Sequence, residues 1–159
     1  MNGVTTAFGF LAVIVVGLSC GAMLTGAVIL VPFWRALPAN EFLAWFGANA
    51  QRLELFIGPL QVGAILFSIV AAVLFRLSHR SGTLLFTLAS VLTVAVLVTF
   101  PLYFLAANAS FVDGSIPLDQ VSAELARWAS WQWVRTVIGL AAFLLAVLAI
   151  GGSHERVSA

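Results

Sequence analysis

The chain has 159 residues, of which 62% are hydrophobic and 8% are charged, and its mean hydropathy is +1.12. A typical soluble domain carries roughly 25% charged residues, so this composition argues against a soluble globular fold. The net charge of +1 and the absence of lysine argue against nucleic-acid binding, and the single cysteine, Cys20, excludes an intramolecular disulfide.

Charged residues are confined to four short windows, at 35–54, 76–80, 113–135 and 155–156. The stretches that contain no Asp, Glu, Lys or Arg cover residues 1–34, 55–75, 81–112 and 136–154. A bilayer core of about 30 Å is crossed by roughly 20 apolar residues in a helix. The pattern therefore predicts an integral membrane protein with four transmembrane helices.

We predict these helices at about 4–31, 53–77, 83–107 and 124–150, packed as an all-α transmembrane four-helix bundle in a single domain, 1–159. The first apolar run has no basic residue before it and exceeds the roughly 7–15 residues of a signal-peptide core, so we expect it to be retained. Pro59 predicts a kink in the second helix, and Pro101 predicts a bend in the third.

The first loop is predicted to contain a short interfacial helix. Pro32 and Pro38 mark the exit from the first span, and between Ala39 and Arg52 aromatic residues at i, i+3 and i+4 then lie beside charged ones. The other two connections are a tight basic turn at 76–80 and a polar loop at 108–117.

An even number of spans places both termini and the 76–80 turn on the same side of the membrane. That turn carries two arginines and no acid, so the positive-inside rule predicts that this side faces the cytoplasm. We expect the protein in the inner (cytoplasmic) membrane of a bacterium. The opposite side, which holds every tryptophan and five of the six acids, would then be external.

Four polar residues of the second and fourth helices are candidates for a site within the membrane. Glu54 and Gln61 are seven residues apart and share a helix face, and Gln132 and Arg135 are three apart. If these helices are neighbours, Glu54 pairs with Arg135 and the two amides lie deeper. Because buried ionisable residues are costly, the arrangement is either an active site or a polar clasp that fixes helix register.

The tryptophans all fall on the predicted external side: Trp34, Trp45, Trp128, Trp131 and Trp133. They predict either an ordinary aromatic belt or an aromatic mouth for a flat, lipophilic ligand. Trp128 and Trp131 share one helical face with Glu124 and Arg135. Tyr103, the single tyrosine, either anchors the third helix at the interface or donates a proton to a ligand.

We expect no metal site and no resident cofactor. The two histidines, His79 and His154, both fall in segments assigned to the cytoplasmic side. A metal within the membrane would need several histidines or carboxylates at one depth. The sequence also has no glycine-rich phosphate loop.

Two segments carry a family resemblance. The run VPFWRALP at 31–38, followed by EF at 41–42 and WF at 45–46, resembles the first-loop pattern of the anthrone-oxygenase-like family, a domain-of-unknown-function family of small four-helix membrane proteins. The run ELARW at 124–128, leading into WQWVRT at 131–136, resembles its last-helix signature. The resemblance covers most of the chain through short, moderately specific motifs.

The resemblance implies oxidation of an anthrone to an anthraquinone by molecular oxygen, without a metal or flavin. A deprotonated anthrone can itself pass an electron to oxygen, so the protein would supply a dry pocket, a base and an oxyanion-stabilising donor. On this basis Glu54 is the candidate base, and Arg135, Gln132 and Trp128 hold the enolate. Many relatives carry histidine where this chain has Gln132, and an amide cannot shuttle a proton.

The sequence leaves two functions open. One is a cofactor-independent oxygenase of a lipophilic aromatic molecule, with Glu54, Arg135 and Gln132 as catalytic residues between the second and fourth helices. The other is a non-catalytic membrane protein that binds a lipid, a quinone or a partner helix, including a second copy of itself. The candidate substrate-binding residues are Trp128, Trp131, Gln61, Arg35 and Tyr103. A transporter is disfavoured, because neither paired broken helices nor an inverted repeat is evident.

Overall fold

The computed structural model describes residues 2–154, with the side chains of Asn2, Ser153 and His154 left out. Helix α1 is α-helical over Asn2–Thr25 and Val31–Ala36, and a π-helical turn at Gly26–Leu30 joins the two parts.

Helix α2 spans Ala39–Leu77 without interruption. Helix α3 is α-helical over Thr83–Thr99 and Leu105–Val112, around a second π-helical turn at Phe100–Phe104. Helix α4 spans Val121–His154. All four helices are long and apolar enough to cross a bilayer, so the predicted all-α four-helix bundle is confirmed and the chain is a multi-pass integral membrane protein.

The amphipathic segment predicted in the first loop is helical, but it is not a separate element. It forms the first turns of α2, which continues through Pro59 because one proline removes a single backbone hydrogen bond while its neighbours keep theirs. Residues 108–112, predicted as loop, extend α3 instead. Phe111 explains the extension, since its buried ring packs edge-on against Phe42 and Phe46 of α2, at 5.0 and 5.4 Å between ring centroids.

The helices run up-down-up-down around a square. Each of α1 and α3 packs along both α2 and α4, whereas α2 and α4 lie on a diagonal and touch only at their margins. The second and fourth helices are therefore not the neighbours on which the predicted pocket depended, because short connections make sequential helices neighbours and put alternate ones across the bundle.

Two regions of the core are built from different residues. The region called here the aromatic end is packed from rings, with Trp34, Phe42, Phe46, Phe104, Phe111 and Trp128 all buried. The alanine layer, toward the other end, is formed by Ala12, Ala71, Ala89, Ala146 and Ala149 around Phe75 and Phe86. Small side chains let helix backbones approach closely within a membrane.

The charges fix the position of the bilayer along the bundle. On α2 no charged residue lies between Glu54 and Arg76, and these intervening residues make about 31 Å of helix, the thickness of a hydrocarbon core. With its 39 residues, α2 is about 58 Å long. The aromatic end therefore projects from the hydrocarbon core into the membrane interface.

Candidate functional site

Polar and aromatic side chains of α3 and α4 meet along one line at the aromatic end, called here the α3–α4 seam. Its members are Tyr103, Phe104 and Asn108 of α3 and Glu124, Trp128, Trp131 and Arg135 of α4. The α4 residues are spaced by four, three and four positions, which places them on one face. The shared face predicted from the sequence is confirmed by these contacts.

Arg135 lies deepest in the seam. Its guanidinium carbon is 4.3 Å from the ring centroid of Phe104 and 5.8 Å from that of Trp128, so the charge rests on two aromatic faces. Its Nε is buried without a hydrogen-bond partner, and within residues 2–154 no carboxylate pairs with it. An unpaired cation at this depth is costly, and such residues mark functional sites.

Tyr103 and Glu124 form a hydrogen-bonded pair above Arg135. The Tyr103 hydroxyl donates to Glu124 Oε1 at 2.7 Å, and Arg127 Nη1 donates to Glu124 Oε2 at 3.1 Å. The Tyr103 ring stacks on Trp131, with 5.4 Å between centroids and 9° between planes. Both rings and the carboxylate are partly accessible, whereas Phe104 and Trp128 behind them are buried.

Trp34 and Trp128 are core residues. They are 2% and 5% exposed, and their rings meet edge-on at 5.2 Å. Trp128 Nε1 donates to Asn108 Oδ1 at 2.9 Å, whereas Trp34 Nε1 is buried with no partner among the described residues. Because both rings are buried, this pair belongs neither to an aromatic belt at the membrane surface nor to an open mouth for a ligand. Trp133, which is 46% exposed, faces outward as a belt residue does.

Gln132 joins α4 to α1 instead of facing Arg135. Its Nε2 donates to the carbonyl oxygen of Met23 at 2.6 Å, just before the first π-helical turn, and Thr136 Oγ1 lies 3.4 Å from the same oxygen. Gly26 makes room for the amide, because a Cβ there would lie 2.8 Å from Nε2. These contacts clasp α4 to α1, whereas the clasp considered from the sequence lay between the second and fourth helices. The Oε1 atom is buried without a partner in the described part of the chain.

Gln61 forms a second clasp, deeper in the membrane. It accepts a hydrogen bond from Ser19 Oγ of α1 and donates one to the Thr93 carbonyl of α3, both at 3.0 Å. The adjoining cavity is about 10 Å³, room for one water molecule at most. A flat aromatic substrate does not fit beside Gln61, so this residue is separate from the α3–α4 seam.

The letters GLSCG at 17–21 match the GxSxG pattern of nucleophilic serines. That motif depends on a sharp strand-to-helix turn that exposes the serine. Here the stretch is continuous helix, and Ser19 is buried and donates to Gln61. It is therefore no nucleophile elbow.

The predicted pair between Glu54 and Arg135 does not form. Glu54 is exposed on α2 and has no hydrogen bond or ion pair to any residue of 2–154, and α2 is diagonal to α4. The prediction is wrong because it assumed that helices two and four are neighbours. The carboxylate that the fold brings to the seam is Glu124, which the sequence placed on the correct face without assigning it a role.

Arg35 borders a separate groove between α1 and α4. The groove has a volume of about 580 Å³ and is lined by Ala27, Val28, Val31, Pro32, Arg35, Ala126, Ala129, Ser130 and Trp133. Its α4 residues lie on a different face of the helix from those of the seam. Arg35 is therefore not brought together with the other candidate substrate-binding residues.

Residues 2–154 contain no group of three His, Cys, Asp or Glu side chains that could hold a metal ion. His79 lies in the basic turn, and the side chain of His154 is outside the described part. Comparison of the chain with known protein families, curated proteins and solved structures finds no match.

Proposed function

We propose that this membrane protein binds a lipophilic aromatic molecule bearing an acidic hydroxyl or carbonyl oxygen at the α3–α4 seam. The observation that carries the proposal is Arg135, a cation at the edge of the hydrocarbon core with a buried, unpartnered Nε and no carboxylate partner in residues 2–154. An oxyanion would neutralise this charge and accept its hydrogen bonds. The rings of Tyr103 and Trp131, which stack on each other and are only partly buried, supply the flat apolar surface that such a molecule needs.

The reaction that we propose is the oxidation of an anthrone-type phenol by molecular oxygen, on the basis of the family resemblance in the 31–46 and 124–136 segments. Glu124 accepts the proton from the anthrone CH₂ group, and Arg135 binds the enolate oxygen. The enolate carbon adds O₂ to give a peroxide anion, which takes back the proton held by Glu124, and the resulting hydroperoxide loses water to leave the ketone. One anthrone and one O₂ thus yield one anthraquinone and one water.

Glu124 is better suited than Glu54 to this role because of its position. It lies on the same helix face as Arg135, its carboxylate is held by Tyr103 and Arg127, and its side chain is 20% exposed. We also propose the orientation given by the arginine distribution, with the 76–80 turn in the cytoplasm and the seam at the external interface of a bacterial inner membrane.

The first experiment measures binding alone. Anthraquinone, which cannot be oxidised further in this reaction, is titrated into the detergent-purified protein, and quenching of tryptophan fluorescence is followed. We expect Arg135→Met to weaken binding by about 10- to 100-fold, the effect of losing one charged hydrogen bond. Arg52→Gln, which removes an exposed arginine of α2, is the matched control and should change nothing. Failure of the wild-type protein to bind would overturn the proposal.

The second experiment measures oxygen uptake with anthrone in air, corrected for the rate without protein. We expect uptake that is lost in Glu124→Gln and Arg135→Met but kept in Glu54→Gln. Loss of uptake in Glu54→Gln alone would instead restore Glu54 as the base. Binding without uptake would leave the non-catalytic binding function, in which the seam holds a quinone or phenol without oxidising it.

A further inference from the structure

The groove between α1 and α4 is open to the surroundings of the bundle and is not used by the proposed function. Its wall combines small and apolar residues of both helices, including Ala27, Val31, Ala126 and Ala129. Its volume of about 580 Å³ lies within the usual range of roughly 300–1,000 Å³ for ligand sites. The groove exists because α4 presents alanine where a larger residue would fill the space.

The charge at the groove is concentrated at one end. Because α1 and α4 are antiparallel, Arg35 lies near the outer end with Ala126, while Ala27 lies nearer to Trp133. Arg35 is exposed and has no ion pair or hydrogen bond to another side chain within residues 2–154. Ser130, the polar residue of the α4 wall, already donates to its own helix at the Ala126 carbonyl.

We propose that the groove is a binding site for an anionic glycerophospholipid. The phosphate binds Arg35, and the glycerol and upper acyl chain lie on the apolar wall beside Trp133. The groove is at the level of the membrane interface, since the hydrocarbon core begins near Glu54 and Arg135. Charge complementarity favours an anionic lipid, because a basic residue at a membrane surface attracts anionic head groups.

The test uses the full chain in nanodiscs of phosphatidylcholine with rising fractions of phosphatidylglycerol. One lipid at a time carries bromine on its acyl chains, so that quenching of Trp133 reports which lipid occupies the groove. Trp133→Phe identifies the signal of this tryptophan. We expect brominated phosphatidylglycerol to compete about fivefold better than brominated phosphatidylcholine, the factor expected for one basic residue.

Arg35→Gln should abolish the preference for phosphatidylglycerol, and Ala129→Leu, which fills the groove, should reduce quenching by both lipids. Arg52→Gln, the same charge change on an exposed arginine outside the groove, should keep the preference. Equal quenching by the two lipids, or a preference that survives Arg35→Gln, would overturn the proposal. A dimer that excludes both lipids from Trp133 would overturn it as well, by assigning the groove to a second copy of the chain.

Discussion

In the alanine layer the helices meet through residues such as Ala12, Ala71 and Ala146, whereas at the aromatic end they meet through the rings of Trp34 and Trp128. Alanine contributes little side-chain volume, so the helix backbones come close, as Gly82 does to the Ala149 carbonyl. Rings fill more space and pack tilted or edge-on, with 51–83° between planes and 5.0–6.0 Å between centroids around Trp34 and Phe42.

The two regions also differ in how completely their polar atoms are satisfied. The three buried side-chain atoms that lack a partner in the described residues are Trp34 Nε1, Gln132 Oε1 and Arg135 Nε, and all lie at or beside the aromatic end. Both π-helical turns, Gly26–Leu30 and Phe100–Phe104, adjoin the same region. Such turns are frequent at functional sites. The π-helical turns and the buried polar atoms that lack partners therefore occur in the same part of the bundle.

The largest expected effect is on the aromatic end itself. Trp34→Ala removes a fully buried ring that contacts Phe42, Trp45, Phe46 and Trp128, so we expect a loss of about 4 kcal/mol in the free energy of unfolding. Thermal unfolding in detergent should show a Tm lower by roughly 10 °C. The control is Trp133→Ala at an outward-facing position, and equal losses for the two variants would contradict a ring-packed core.

A smaller effect tests the close approach of backbones beside the alanine layer. A Cβ at Gly82 would overlap the carbonyl oxygen of Ala149, a backbone atom that cannot move aside, so Gly82→Ala should cost about 2 kcal/mol. The control is Gly151→Ala, the same substitution at the same end of the bundle, where nothing lies within 4 Å of the Cβ position. Circular dichroism melts of the two variants should therefore differ, and coincident curves would disprove the close contact.

The smallest effect concerns the clasp between the two regions. Gln61→Leu removes the hydrogen bonds to Ser19 and Thr93, and we expect a loss of about 1 kcal/mol or less, because such bonds average roughly 0.6 kcal/mol in membranes. Anthraquinone binding should be unchanged. Gln51→Leu, at an exposed position of the same helix, is the control. Loss of binding in Gln61→Leu would place the ligand in the bundle centre instead of the seam.

The fold followed from the sequence because charge is expensive in a bilayer, so the charged windows delimit the helices. The shared face of Glu124, Trp128, Trp131 and Arg135 followed from helical periodicity, because residues three or four positions apart lie on the same side of a helix. Helix ends were less predictable. Phe111 extends α3 through contacts with α2 that are distant in sequence, and no local pattern encodes them.

The partners of each polar residue were not predictable, because helical periodicity gives a face but not its neighbour. Glu54 and Arg135 each end a charge-free stretch at the same end of the bundle, yet they belong to diagonal helices. Gln132 donates to a backbone carbonyl of α1, and the pattern of side chains in the sequence does not predict such an acceptor. The groove at Arg35 depends on alanines whose effect appears only when α1 and α4 are brought together.

The bond between Gln132 and the Met23 carbonyl joins residues that are 109 positions apart. It lies between α1 and α4, the one pair of packed helices that is not consecutive in the sequence. The other three helix–helix contacts are between consecutive helices, which can pair as hairpins while the chain is still being synthesised. Closure of α4 onto α1 must await the synthesis of α4 itself. The groove of the proposed phospholipid site lies at this boundary, so it cannot form before α4 has been synthesised.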